Sequence, residues 1–195
     1  MSQLLQDYDL ERMKKNGPQD IAYAVVYDAR DSDYVQSLDP DSLLELIYRK
    51  WNDHPSIFTG ISKADDLVTY PGLSYCMQQI LGVITTRWRY MAVGTGTTQA
   101  RPYQQGLEAE VFPRADMTSI GSMTRSGQAL RFLATFPASS PTITVRESAV
   151  TQAVSGTSIY LNRNQFSTTP VSHTVNVSAY TIASLITFSA VTTWG

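Results

Sequence analysis

The sequence is short of charge where most soluble chains carry it. From Thr118 to Gly195 the formal charges are Arg125, Arg131, Arg146, Glu147 and Arg163 alone, no Lys follows Lys63, and no Asp follows Asp116. Ser and Thr, interleaved with Val, Ile, Leu, Phe and Tyr, take their place. A segment so composed withholds the titratable side chains that supply general acids and bases, which points away from an enzyme. It favours strands, because β-branched side chains are stiff and pack well on a pleated surface. Over the whole chain 16% of residues are charged, against roughly 25% in ordinary soluble domains. Interfaces shared with sister subunits, or a surface made polar by hydroxyls, would each account for the shortage.

Other absences close further doors. Cys76 is the one cysteine, so neither an intramolecular disulfide nor zinc-ligand spacing is available. The N-terminus lacks a basic region followed by an apolar core, so no signal peptide is expected and synthesis is placed inside the cell. No apolar run approaches bilayer length, so no membrane insertion is expected. A net charge of −2 leaves no footprint for specific nucleic-acid binding. Gly94-Thr95-Gly96-Thr97-Thr98 is followed by Gln99-Ala100-Arg101-Pro102. It therefore lacks the Lys-Ser/Thr of a P-loop and the third glycine of a dinucleotide fingerprint, and reads as a glycine-rich structural turn. Asp28, Asp31, Asp33, Asp39 and Asp41 do not follow the order of a calcium loop, and His54 and His173 stand isolated, so no metal is expected. Glu108 and Glu110 share one side if their segment is a strand, which raises paired-carboxylate chemistry. Nothing in the sequence supplies its cleft or divergent acidities, and both are expected to flank a turn or to meet arginines. No cofactor is called for.

What is present divides unevenly. Residues 1 to 66 hold 13 acidic and 7 basic residues, a net of −6, and residues 67 to 195 hold 4 acidic and 8 basic, a net of +4. Opposite signs favour contact between the two parts, or head-to-tail contact between copies. A merely solvated N-terminal appendage is the plainer reading. The change of character near residue 67 predicts a mixed helix and loop region over residues 1–65, and a domain with a helix and an antiparallel β-sandwich over residues 66–195.

Ile21 to Tyr27 reads as a short strand. Asp39-Pro40 supplies a cap and a first-turn proline for a helix carrying Leu43, Leu44, Ile47, Tyr48 and Trp51 on one stripe. A second helix is predicted after Tyr70-Pro71-Gly72, with Leu73, Cys76, Met77, Ile80 and Leu81 on its buried face and Gly82 as terminator. Cys76 is read as a small core residue. Strands are predicted over 88–93, 107–114 and 117–123, with Pro113 at a break, and over 128–136, where Leu130, Phe132, Ala134 and Phe136 alternate on one face. Further strands are predicted over 142–147, 157–162, 174–180 and 182–190. Many short strands between Gly, Pro and Ser/Thr turns, without a βαβ rhythm, predict a mainly β protein. The expected form is an antiparallel β-sandwich or jelly-roll-like domain.

Arg114, Arg146, Glu147 and Arg163 are the informative charges, rare within this region. Arginine makes planar, multiply bonded contacts with carboxylates and backbone oxygens. Glu147 is expected beside Arg114, Arg163 or an arginine of a neighbouring copy, where the contact would fix strand register or a subunit edge. Exposed, weakly paired arginines are the plainer alternative.

Taken in order, several segments form a pattern. Asp66-Leu67-Val68-Thr69-Tyr70-Pro71-Gly72 leads into the helix. Tyr90-Met91-Ala92-Val93-Gly94-Thr95-Gly96-Thr97-Thr98 and Gly106-Leu107-Glu108-Ala109-Glu110 follow. Then come Leu130 to Phe136, Val145-Arg146-Glu147-Ser148-Ala149-Val150, and Ser155 to Arg163. This succession, over roughly residues 66 to 193, resembles a broad family of tailed-bacteriophage virion proteins associated with tail, neck or fibre structures. In that family a helix and a variable loop precede the glycine-threonine turn; an arginine-glutamate strand, a small-residue turn and a strand ending in arginine come after. Arg114, Glu147 and Arg163 match its polar positions, and Gly94 and Gly96 its turn. The family often has glycine after the Glu-Ala step, whereas this chain reads Glu147-Ser148-Ala149-Val150. The resemblance implies a nonenzymatic virion structural protein, made in the host cytoplasm and working in the virion. Its implied partners are copies of itself and other phage neck, tail or head proteins. A host-surface or carbohydrate-binding accessory module is the alternative, with Tyr103, Tyr160, Trp88 and Trp194 as candidate platform aromatics.

Overall fold

The computed structural model describes residues 19–38, 58–117, 121–126, 129–136, 143–166, 171–173 and 178–187, together with Ser42, Glu45 and Leu46, which are helical. The helix expected after Asp39-Pro40 otherwise lies outside the described residues, as do His54, Trp194 and residues 174–177.

The chain opens with strand β1 (Gln19–Asp28), a 3-10 turn (Ala29–Asp31) and the short helix α1 (Ser32–Ser37). Strand β2 (Phe58–Val68) leads directly into helix α2 (Tyr70–Ile80). Nine strands follow: β3 (Tyr90–Gly94), β4 (Glu110–Asp116), β5 (Gly121–Ser126), β6 (Ala129–Phe136), β7 (Ile143–Val145), β8 (Glu147–Thr151), β9 (Asn162–Gln165), β10 (Val171–His173) and β11 (Ser178–Thr187). Nine strands join in the order β4-β3-β8-β9-β2-β1-β11-β6-β5, and β10 pairs with β7 separately. Six of them, from β9 to β5, make one continuous antiparallel sheet. The expected mainly β, antiparallel class with a helix is therefore what the chain adopts. Among the described residues the sheet is open, with β4 and β5 at its ends.

β1 lies inside that sheet. It pairs with β11 from Gln19↔Thr187 to Asp28↔Ser178 on one side and with β2 on the other. Ala22, Ala24, Val25, Val26 and Tyr27 are all buried, so both faces of the strand are covered, as suits its near-continuous apolar run. The boundary expected at 65/66 falls within β2, which joins β1 to β9.

β6 alternates as predicted: Phe132, Ala134 and Phe136 are buried and Leu133 and Thr135 less so. They share a core with Val68, Met91, Met117, Leu161 and Phe166. The strand expected over 157–162 is displaced. There Tyr160 makes only an isolated bridge to Thr151, and the regular strand is β9.

α2 starts where its chemistry allows. The Thr69 side chain accepts a hydrogen bond from Gly72 N at 3.1 Å, and Pro71 occupies the first turn, where no N–H is needed. The Thr69 hydroxyl also donates to Tyr160 O at 2.7 Å, tying the helix start to the chain before β9. Gly72 lies against the Leu161 backbone so closely that a Cβ would overlap it. Gly82, at φ +71, ends the helix. The buried face differs from the expected one. Tyr75 is buried, 4.8 Å from the Trp88 ring between centroids, and Leu73 and Cys76 pack against the core, whereas Met77, Ile80 and Leu81 are exposed. The last turn of α2 runs past the edge of the core.

Candidate functional site

Three strand ends and one turn meet around Glu147. β8 lies between β3 and β9, with Gly94 opposite Glu147 and Glu147 opposite Gln165. Side chains two residues apart share a face, so Arg163 and Gln165 flank the Glu147 carboxylate from β9. Gly94 and Gly96 leave the volume it fills, since a Cβ on either would run into Glu147 Oε1.

Glu147 is 0% exposed and Arg163 1%. Arg163 Nε donates to Glu147 Oε2 at 2.8 Å. Glu147 Oε1 accepts from Gly96 N at 3.1 Å and Ala109 N at 2.9 Å, and Oε2 accepts from Glu108 N at 3.2 Å. One carboxylate thus closes four hydrogen bonds from three stretches of chain. The Arg163 guanidinium also donates to Gln104 Oε1 at 2.8 Å, Gln165 Oε1 at 3.3 Å and Thr98 Oγ1 at 3.4 Å. Gln165 Nε2 in turn donates to Gly96 O at 3.0 Å. A buried charge is tolerable when paired and hydrogen-bonded in this way.

Glu108 closes the glycine-threonine turn from outside. Its Oε2 accepts from Thr97 N, Thr98 N and Thr98 Oγ1, each at 2.9 Å, and lies 3.8 Å from Arg163 Nη2. The hydrogen bonds from Thr98, backbone first, hold its carboxyl below the usual carboxylate range, with Thr97 and Arg163 adding to them. The backbone N–H groups of this glycine-threonine turn are thus engaged by the protein's own carboxylates.

A second cluster surrounds Arg114, which does not meet Glu147. The β3–β4 register shifts between Met91 and Val93, opposite Ala115 and Val111, which leaves residues 112–114 of β4 bulged. On a flat strand, residues four apart lie about 13 Å from each other. The bulge instead brings Arg114 Nε to Glu110 Oε1 at 2.7 Å and Nη2 to Oε2 at 3.0 Å. Pro113 sits in this bulge on an end strand, where it interrupts no ladder. Arg114 also donates to Ala153 O at 2.9 Å, Gly156 O at 2.8 Å, Ser158 Oγ at 3.0 Å and Tyr160 Oη at 2.6 Å. Tyr160 Oη donates to Glu110 Oε2 at 2.7 Å. Burial, helped by that bond to Glu110, pushes the Tyr160 hydroxyl up to about 12. Burial works to raise the Glu110 carboxyl, yet the hydrogen bonds from Arg114 and Tyr160 outweigh it and leave it lowered.

The expected site residues thus separate. Glu147, Arg163, Gly94 and Gly96 form one knot. Arg114 belongs to the other, with Glu110. Arg146 enters through its backbone, donating to Gly94 O at 2.8 Å and accepting from Phe166 N at 2.7 Å. Glu108 and Glu110 do flank a turn and meet arginines. Thr98, Gln104 and Gln165 were missed: neutral polar residues abound here, and only the two-residue spacing of Arg163 and Gln165 hints at a shared face.

Among the candidate platform aromatics, Tyr160 and Trp88 are buried. Tyr103 lies at the surface, edge-on to Tyr70 at 4.7 Å. Among the described residues, no group of three or more His, Cys, Asp or Glu is placed to hold a metal ion. Each knot fastens loops to strands through charge-assisted hydrogen bonds. Comparison of the chain with protein-family models, curated proteins and solved structures found no match.

Proposed function

We propose that the chain is a nonenzymatic structural protein of a tailed-bacteriophage virion that acts in tail, neck or fibre assembly. The supporting observation is where its pattern segments converge. The glycine-threonine turn, the Glu108-Ala109 step, the Arg146-Glu147 strand and the strand containing Arg163 are separate in sequence. In the fold they close around one carboxylate. Interior charge is spent on fixing the turn and strand register, which suits a subunit that must present one rigid surface repeatedly. In this reading the sheet curls into a sandwich or jelly-roll-like body, residues 1–65 contribute attachment to a neighbouring particle protein, and copies associate with one another.

Quantitative mass spectrometry of purified intact particles tests the reading. The expected result is the full chain at a fixed ratio to the other virion proteins. Its absence from infectious particles would refute a virion role.

A further inference from the structure

The end of α2 presents an anomaly that the two knots do not absorb. Within seven residues, Met77 is 63% exposed, Ile80 84%, Leu81 74% and Val83 70%. Single exposed apolar side chains are ordinary, but a contiguous group of large ones marks an interaction surface. The group is also held in place. Leu81 N donates to Met77 O at 3.0 Å, Gly82 N to Gln79 O at 3.0 Å and Val83 N to Gln78 O at 2.9 Å. The Gln79 side chain then donates to Thr86 O, fastening the returning chain along the helix. At its base, Tyr75 packs on Trp88. A preorganised apolar tip loses little freedom when it docks.

Charge indicates what it docks against. No acidic residue occurs from Leu67 to Leu107, whereas Arg87, Arg89 and Arg101 do. Arg89 is engaged with Asp116 at 2.6 Å, and Arg87 is exposed on the strap that returns from the tip. The complementary surface is therefore apolar and acidic. The first 66 residues of the sequence have a net charge of −6, and within them α1 exposes Asp33 and the ring of Tyr34, with Arg30 exposed just before it.

We propose that the α2 tip, formed by Met77, Ile80, Leu81 and Val83 and flanked by Arg87, docks onto the Asp33–Tyr34 surface of a second copy of this chain. Donor and acceptor are different surfaces, so the contact is heterologous, and repetition gives a closed ring or an open filament. The inference deepens the assembly reading above and rests on it for the choice of a second copy as partner.

The test uses the full chain in sedimentation velocity and native mass spectrometry over a wide concentration range. Wild type is expected to associate as concentration rises, and less so as salt is added. The double variant Ile80→Ser/Leu81→Ser should weaken association roughly tenfold or more. Its circular dichroism and melting temperature should be unchanged, because both side chains face solvent in the single copy. Arg87→Glu and Asp33→Arg should each impair association alone, and mixing the two should restore it, since every mixed contact again joins opposite charges. A wild type that stays monomeric throughout, a double variant that associates like wild type, or a mixture that fails to recover would each overturn the proposal. The virion reading fails separately: a chain missing from particles refutes that reading, whereas particles that incorporate the double variant normally refute only the tip contact.

Discussion

Arg163 Nε lies 2.8 Å from Glu147 Oε2, with both side chains withdrawn from water. Removing one partner of such a pair leaves the other buried and uncompensated. Glu147→Gln keeps the shape and removes the charge, and should lower stability by about 3–5 kcal/mol. Urea unfolding followed by tryptophan fluorescence would measure it. Replacing the pair together, as Glu147→Gln/Arg163→Met, should recover part of the loss. A double variant no better than the single one would show that the surrounding hydrogen bonds, rather than charge balance, dominate.

Gly96 and Gly156 should respond differently to alanine. At Gly96 the new methyl group meets the Glu147 carboxylate and the Glu108 side chain, an overpacking cost of about 1–3 kcal/mol. At Gly156 no atom lies within 4 Å of the added Cβ, but φ is +72, so the cost is the left-handed backbone alone, about 1–2 kcal/mol. Amide hydrogen exchange separates the two. Gly96→Ala should loosen Ala109 and Gly96 itself, whereas Gly156→Ala should leave both protected.

Stability should fall in acid through Glu108 and Glu110. Both carboxyls are lowered in the fold, so their contribution is complete above the unfolded value of about 4.3 and is lost as pH falls through the lowered folded values. Unfolding midpoints measured from neutral to strongly acidic pH should decline in that window. Glu110→Gln should flatten part of the decline.

In alkali the sign reverses. The Tyr160 hydroxyl is raised to about 12, so the stability it contributes is present below the unfolded value of about 10 and is lost as pH rises through about 12. Tyr160→Phe should be less stable at neutral pH, having lost two hydrogen bonds, and should lack the alkaline step. Ultraviolet titration of tyrosinate would locate the step in wild type.

Cys76 should behave as a packing residue. Burial pushes its thiol up, against a smaller opposing effect from the Trp88 side chain. Labelling by a disulfide reagent at mildly alkaline pH should therefore be much slower in the fold than in urea. Cys76→Ala should cost about 1 kcal/mol. Labelling at the rate of a free thiol would contradict the packing.

Sequence pattern reached some strands and not others: alternation announced β6, whereas β2 (Phe58–Val68) was not among those expected. Leu130 to Phe136 was legible because alternation in a half-buried strand has a period of two and no competitor. On α2, Leu73, Cys76, Met77, Ile80 and Leu81 satisfy a helical stripe, but periodicity cannot say where the core ends, and the last three lie beyond it. The strand expected over 157–162 failed for another reason. Ser158 and the Tyr160 hydroxyl are drawn to Arg114, while Ile159 O and Tyr160 O accept from the Thr151 and Thr69 hydroxyls, tertiary demands that local composition does not register. At the site, pairing Glu147 with Arg163 was among the readings that scarcity of charge allowed. Diverting Arg114 to Glu110 required a bulge that no sequence pattern announces.

The place of β1 sets an order of events during synthesis. Its partners are β2, made soon after it, and β11, made far later, with Asp28 paired to Ser178. Folding slows when pairing spans long stretches of chain. Until β11 emerges, a growing chain carries an apolar strand with one edge unmatched. Where many copies are translated close together, that edge can take β11 from a neighbour before its own arrives, and swapped dimers of otherwise native sheets would be the characteristic misassembly.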